Sequence, residues 1–269
     1  MKIFYNKTSL RKNIHKVKIL GFVPTMGGIH LGHLALVKKS INDCDKTIVS
    51  IFINKQQFNR KSDYKQYPRN INKDISLLKK TKVDYLYIPK FKEIYPYGFN
   101  KNIKISSFGK KLCGQSRPGH FKAVADVLHR FILITNPNKI YFGEKDMQQL
   151  KIMEHYINKH FNKIKVVGCK TVREKGGIAL SSRNFLLSDR QKEIGIKIFK
   201  YLSKNKKKLV KNSLLIKDAK KNILKFGATK IDYIKVLDVN KTIKPYKKIK
   251  KINIFIAYYL GSTRLIDNI

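Results

Sequence analysis

Two short, nearly unbroken apolar runs, at residues 19–23 and 47–53, bracket a stretch in which Leu34, Val37 and Ile41 recur at helical spacing. A strand that is apolar at successive rather than alternating positions needs cover on both faces, which is the condition of a parallel strand inside an α/β sheet. A helix between two such strands serves as a right-handed crossover. The pattern then repeats: Ile71, Ile75 and Leu78 mark a helix, residues 85–88 a strand, Phe121, Val124, Leu128 and Ile132 a helix, and residues 139–142 a strand. A further helix buries Met147, Leu150 and Met153, and residues 164–167 close the series. Residues 1–18 read as a short strand and a basic helix ahead of it, and residues 89–120 as turn-rich.

The alternation stops near Arg173. Two lysine-rich helices follow, with Ile194, Ile198 and Leu202 on one face of the first and Leu215, Ala219 and Ile223 on the second. Ser188 and Gln191 form a capping box for the first of them. The chain closes with two strand-like runs, 232–237 and 252–260. The expected division is therefore an α/β domain over 1–172 and a smaller α+β domain over 173–269.

A formal charge of +42 invites a nucleic-acid reading. Arginine, the side chain best shaped to read bases and phosphates, fills only nine of the 59 basic positions; lysine is spread along the whole chain beside abundant Asn and Ile. We attribute the charge to a strongly A+T-rich gene acting on tolerant surface positions, a hypothesis that a balanced third codon position would sink. The lysine run at 204–211 reads as a solvated helix face. Cys44, Cys113 and Cys169 share no metal-ligand spacing and suit a reducing compartment. No apolar run reaches the roughly 18 to 20 residues needed to span a bilayer, and no secretory signal opens the sequence, so a soluble cytoplasmic protein is expected.

Between the first strand and first helix the chain reads GFVPTMGGIHLGH, residues 21–33. Pro24 cuts the apolar run, Gly27 and Gly28 permit a tight turn, and His30 and His33 flank Gly32 as the helix begins. This order predicts a strand, a phosphate-cradling turn and a helix N-terminus, where unpaired N–H groups favour an anion. Three other polar clusters fall at strand ends or glycine loops: Asn54 with Gln57, Lys145 with Gln149, and Ser181-Ser182-Arg183. In open α/β sheets such positions border the ligand crevice. The side chains are hydrogen-bond donors without a nucleophile paired to a base, a set suited to phosphate handling.

These residues resemble one family closely, the pantoate-β-alanine ligases of the nucleotidyltransferase superfamily. The resemblance rests on an ordered set: residues 23–27, the His30-Leu31-Gly32-His33 signature, residues 50–54 with Gln57-Phe58, and Tyr67-Pro68-Arg69. It continues through residues 116–121, residues 142–146 with 148–150, residues 181–184, and Leu260-Gly261 with residues 264–268. The histidine signature alone marks the superfamily; the whole set is specific to the ligase.

The resemblance implies a Rossmann-like parallel sheet domain, a smaller C-terminal lid, a homodimer, and a two-step reaction. ATP and (R)-pantoate would form pantoyl adenylate and pyrophosphate with Mg²⁺, and β-alanine would displace AMP to give pantothenate. By the same resemblance His30, His33, Lys145, Ser181, Ser182 and Arg183 contact ATP phosphates, while Met26, Gly143, Asp146, Val172 and Leu180 border the nucleotide. Met26, Asn54, Gln57 and Gln149 hold pantoate or β-alanine. Arg117 and His120 match active-site loop positions. No protein metal site is implied, Mg²⁺ arriving on the phosphates.

Four residues depart from the family pattern: Lys55 in place of proline, Cys113 in place of an acidic residue, and Ala123 and Asp126 in place of small or hydroxyl ones. Asp126 is either a surface carboxylate or part of the pocket wall. Two readings from other classes stay open. A nucleotidylyltransferase would share His30 and His33 without needing the Gln57, Gln149 and Ser181–Asn184 set, and a basic nucleic-acid-binding protein would show steeply salt-dependent affinity.

Overall fold

The apolar runs form the middle of a six-stranded parallel sheet in the computed structural model, which describes residues 1–269. Its strands are β1 (Lys2–Phe4), β2 (Leu20–Thr25), β3 (Lys46–Ile51), β4 (Tyr85–Tyr87), β5 (Lys139–Gly143) and β6 (Lys165–Cys169). They lie in the order β1-β4-β3-β2-β5-β6, every neighbouring pair parallel. From β2 the chain adds β3 and β4 on one side, then β5 and β6 on the other. The direction of winding thus reverses between β2 and β5, and the loops leaving their carboxyl ends part to open a crevice.

Helices cover both faces. On one, Leu31–Asp43 packs Leu36 and Val37 into a core with Val23, Val49 and Tyr141. On the other, His120–Thr135 and Met147–His160 bury Phe131, Ile132, Ile152 and Met153 against Phe22, Ile48 and Ile140. These are the helices that the hydrophobic spacing predicts, and Val37, Ile132 and Met153 are among its inward positions; Leu36, Phe131 and Ile152 lie outside that spacing, and the expected Leu34 and Ile41 are only partly buried. The short helices Phe91–Ile94 and Cys113–Ser116 lie within the stretch expected to be turn-rich.

Two expectations are corrected. Pro24 does not end the first run, because β2 continues through it to Thr25. Pairing of β2 with β5 stops at Phe22, so β2 has one free edge by the time it reaches Pro24, the setting in which a sheet tolerates proline. The chain also closes with three strands rather than two: β7 (Lys230–Asp238), β8 (Ile252–Leu260) and β9 (Thr263–Asn268), antiparallel in that order. Arg264, Asp267 and Asn268 interrupt the apolar pattern of β9, and its pairing with the apolar β8 supplies what its own sequence lacks.

Asp189–Lys211, opened by the Ser188–Gln191 capping box, and Leu215–Lys225 pack Ile198, Leu202, Ala219 and Ile223 against this small sheet. Lys204, Lys207, Lys208 and Lys211 face solvent. Val239 and Phe255 join the core of the large sheet, which ties the two parts together. The three cysteines are free, and no helix is long and apolar enough to cross a membrane.

Candidate functional site

Every residue to which the resemblance gives an ATP, pantoate or active-site loop role lines one cavity of about 310 Å³ at the β2/β5 crevice, roofed by the segment from Lys170 to Asn184 and by β9. Its first wall is the loop after β2. Gly28 takes φ +62°, and a side chain there would also strike Ser182 at 3.0 Å. The buried Asp74 carboxylate accepts from the N–H groups of Gly28 (2.9 Å) and Ile29 (2.8 Å), and His30 Nδ1 accepts from Gly32 N–H at 3.1 Å. This corrects the phosphate-cradling reading of the turn: amides that a ligand anion would use are spent on the protein's own groups. Asp74 is not legible in the sequence as part of the site. The one available signal is its being one of only 17 acidic residues in so basic a chain.

The donors that remain are side chains. His30 caps the helix Leu31–Asp43, and its ring lies 4.0 Å from that of His33. A Cβ on the intervening Gly32 would come within 2.9 Å of the His30 ring, so the spacing of the signature needs glycine between them. Burial lowers the His30 pKa to about 4, with the Lys145 ammonium adding to the effect. Burial, then His30 and Lys145, hold His33 well below its ordinary value. Both imidazoles are therefore neutral at neutral pH. Since His30 Nδ1 accepts from Gly32, its proton sits on Nε2 and is free to be donated outward.

Lys145 sits in the turn Glu144–Asp146 that follows β5, with Asp146 Oδ1 3.7 Å from its Nζ. It lines the cavity together with both histidines, so the loops after β2 and β5 meet as the strand order requires. Across the cavity, Ser181 Oγ accepts from Arg183 N–H, and Ser182 Oγ donates to Gly28 O at 3.1 Å. The Ser182 proton is thus spent on joining the two loops, which departs from its expected direct contact with phosphate. Arg183 reaches Asp63, its Nη2 lying 2.8 and 3.0 Å from the carboxylate oxygens.

The opposite end of the cavity is less charged. Gln57 Nε2 donates to Met26 Sδ at 2.9 Å, and Gln149 lines the same wall. Asn54 is buried and turned inward, donating to Ala123 O and accepting from the Tyr95 hydroxyl. Its Nδ2 also faces Gln57 Oε1 at 3.4 Å, so it braces the wall that it lines. Arg117 Nη2 and His120 Nδ1 each lie 2.8 Å from the Gln57 carbonyl oxygen and donate to it. Burial and nearby Arg183 lower the Arg117 pKa to about 10, leaving it a cation. Gln148, buried behind the site, bonds Cys113 N–H and the carbonyls of Phe108 and Lys111.

Of the departures from the family pattern, Asp126 is neither exposed nor in the pocket wall. It pairs with Arg130 at 2.9 Å and accepts from Asn100 N–H, pinning residues 94–100. Cys113 contacts the Tyr233 hydroxyl at 2.9 Å, at the junction with the small sheet. Lys55 is exposed and points toward Tyr64.

Chemically, the cavity joins a cationic end with fixed neutral donors to an amide-lined end, a shape suited to a polyanion beside a small polar acid. The sequence profile described as Pantoate-beta-alanine ligase matches residues 2–269. The pantothenate synthetase of Sulfurihydrogenibium sp. (strain YO3AOP1) is 42% identical over 267 residues, covering 97% of this chain and 94% of that protein. The crystal structure of pantothenate synthetase from Thermus thermophilus superimposes with a TM-score of 0.91 at 31% identity, covering 100% and 99% of the two chains. A pantoate-beta-alanine ligase from Francisella tularensis, solved with beta-gamma ATP and beta-alanine, superimposes with a TM-score of 0.83 at 35% identity, covering 100% and 97%.

Proposed function

The chain belongs to the pantoate-β-alanine ligase family, and we propose that its cavity carries out the ATP-dependent condensation of (R)-pantoate with β-alanine in two steps. A pantoate carboxylate oxygen attacks the α-phosphorus of ATP. An O–P bond forms, the α–β phosphoanhydride bond breaks, and pyrophosphate leaves. The β-alanine nitrogen then attacks the acyl carbon, a C–N bond forms, and the C–O bond to AMP breaks.

The observation that carries this reading is the meeting of His30, His33, Lys145 and the Ser181–Arg183 turn at one end of a cavity whose other end presents Gln57 and Gln149. Bringing a carboxylate to a triphosphate opposes two anions, and fixed positive groups offset that cost while stabilising the leaving group. Lys145, Arg183 and the Nε2–H of His30 fill this role, with His33 beside them. Ser181 keeps a hydroxyl proton for a phosphate oxygen, and Ser182 holds its loop against Gly28. Gly143, Asp146, Val172, Leu180 and Met26 border the nucleotide, and Met26, Asn54, Gln57 and Gln149 hold pantoate or β-alanine.

Mg²⁺ fits this site as a passenger on the triphosphate. Of the cavity's carboxylates, Asp63 and Asp267 are each paired with an arginine, which leaves Asp146 to face the ion. Bound there, it would neutralise phosphate charge. His30, lowered to about 4, and His33, held well below its ordinary value, are both poor bases for the β-alanine ammonium, which favours entry of the substrate as the free amine, a route that a pH-rate profile tests. The segment from Arg173 onward acts as the lid of a two-domain molecule, 1–172 and 173–269, that works as a cytoplasmic homodimer. The test of the reaction is the order of product release. Pantoate-dependent pyrophosphate must appear without β-alanine, and AMP only after its addition; pyrophosphate release without pantoate rejects the reading in favour of a nucleotidylyltransferase.

A further inference from the structure

Two neighbouring side chains of β9 hold the two phosphate-facing loops from behind. Asn268 is buried, and its Nδ2 donates to the backbone carbonyls of Glu144 and Lys145, both at 2.8 Å. Its Oδ1 accepts from Asn253 Nδ2 at 2.8 Å. With two carbonyls on one side and an amide donor on the other, only one orientation of the Asn268 amide satisfies all three bonds. Its neighbour Asp267 receives both Arg173 Nη1 and Nη2, at 2.6 and 3.0 Å. Arg173 in turn donates to Gly177 O, and its backbone bridges Ala179, just ahead of Ser181.

Outside β5 and the helix Met147–His160 that flank it, the Lys145 turn has few other contacts, among them Lys251 Nζ on Glu144 Oε1 at 3.4 Å. Glu144–Asp146 is a single turn of 3₁₀ helix without a side-chain cap, and its Lys145 ammonium has only the neighbouring Asp146 carboxylate at 3.7 Å. A long side chain can deliver its charge to one point only if its backbone is held there. Removing Asn268 would leave two buried carbonyls to find new partners, and the turn would move to find them.

We propose that Asn268 is a positioning residue for adenylate formation, fixing the Lys145 turn against β9 while Asp267, through Arg173, fixes the Ser181–Arg183 turn against the same strand. The two loops then keep their spacing because one short strand sets both. The inference rests on the role given to Lys145 above. It also explains why β9 carries polar residues where a strand pattern calls for apolar ones.

The test compares full-length wild-type, Asn268→Ala and Asn268→Asp proteins in single turnover, following pyrophosphate release with ATP and pantoate, then capture of the bound adenylate by β-alanine. Asn268→Ala should slow adenylate formation about 10- to 100-fold, the scale of a displacement of about 1 Å. The pantoate KM should stay within about twofold, and the β-alanine step should keep its rate. Asn268→Asp keeps the shape but turns an oxygen toward the two carbonyls, and should be slower still. Adenylation at the wild-type rate in Asn268→Ala overturns the proposal, as does a loss shared equally by both steps. If Asn268→Ala does not fold, Asn253→Ala removes only the partner that orients the amide and should slow adenylation alone; an unchanged rate there is equally fatal. A wild-type protein that releases no pyrophosphate with pantoate rejects the parent reading instead.

Discussion

Arg183 grips Asp63 with both ends of its guanidinium, Nε and Nη2 lying 2.8 to 3.2 Å from the carboxylate oxygens. The two residues come from opposite sides of the cavity, Asp63 from the helix Lys61–Gln66 and Arg183 from the turn Ser182–Leu186. A phosphate therefore competes with Asp63 for the Nε and Nη2 edge of Arg183, while Nη1 stays clear of Asp63. The pair is partly exposed, so it is worth about 0.2 to 1 kcal/mol. Asp63→Asn should lower the ATP KM by roughly 1.5- to 5-fold with kcat little changed. Steady-state kinetics at saturating pantoate would read this, and a raised KM would mean that Asp63 aims Arg183 instead of competing for it.

The histidine pair predicts an acid dependence. The folded pKa of His30 is about 4 against an ordinary value of 6.5, chiefly from burial and then from Lys145. Between those values the unfolded chain binds more protons than the folded one, so the contribution to stability is complete above 6.5 and is lost as pH falls toward 4. The imidazole C–H resonance of His30, assigned by its loss in His30→Gln, should titrate near pH 4. A midpoint near 6.5 would remove the basis for treating His30 as a neutral donor.

His120 and Arg117 both donate to the Gln57 carbonyl, at the end of the cavity proposed to hold pantoate. His120→Ala removes one of the two donors, at a cost of about 1 to 2 kcal/mol, or roughly 5- to 30-fold in the pantoate KM. The ATP KM should change far less. Equal effects on both substrates would argue that His120 supports the cavity as a whole.

Asp126→Ala would strand Arg130, whose side chain is only 20% exposed, beside a lost partner. Breaking such a pair costs about 3 kcal/mol or more. The denaturant midpoint should fall while activity per folded molecule holds, because Asp126 pins residues 94–100 and does not face the cavity. A specific loss of activity at unchanged stability would put it back in the pocket wall.

What is legible in the sequence follows from where the information lies. The strands of the parallel sheet announce themselves because they are covered on both faces, and the helices because one stripe is buried, so the apolar pattern places the site at the carboxyl ends of the strands; that β2 and β5 flank the crevice follows only from the strand order. The cavity-lining groups His30, Lys145, Gln57 and Ser181 stand beside glycines or at strand ends, where side chains have no structural reason to recur. Asp74, Asn268 and Gln148 carry no such mark. Each works by accepting from or donating to backbone groups distant in sequence, and such a partner is fixed only when the chain has folded. The strand β9 escapes the pattern for a related reason: its polar side chains are satisfied by Arg173, Asp232 and the Lys145 turn, none of them near it in sequence.

The central claim is that pantoate itself is activated by transfer of AMP to its carboxylate. The most direct measurement follows the carboxylate oxygens. With pantoate labelled there with ¹⁸O and with unlabelled ATP and β-alanine, attack on the α-phosphorus followed by C–O cleavage must leave one labelled oxygen in the AMP. Mass spectrometry of the AMP should show that single heavy oxygen in every turnover. Unlabelled AMP, with one heavy oxygen kept in the amide of pantothenate and the other found in pyrophosphate, would contradict the adenylate route and the roles assigned around it.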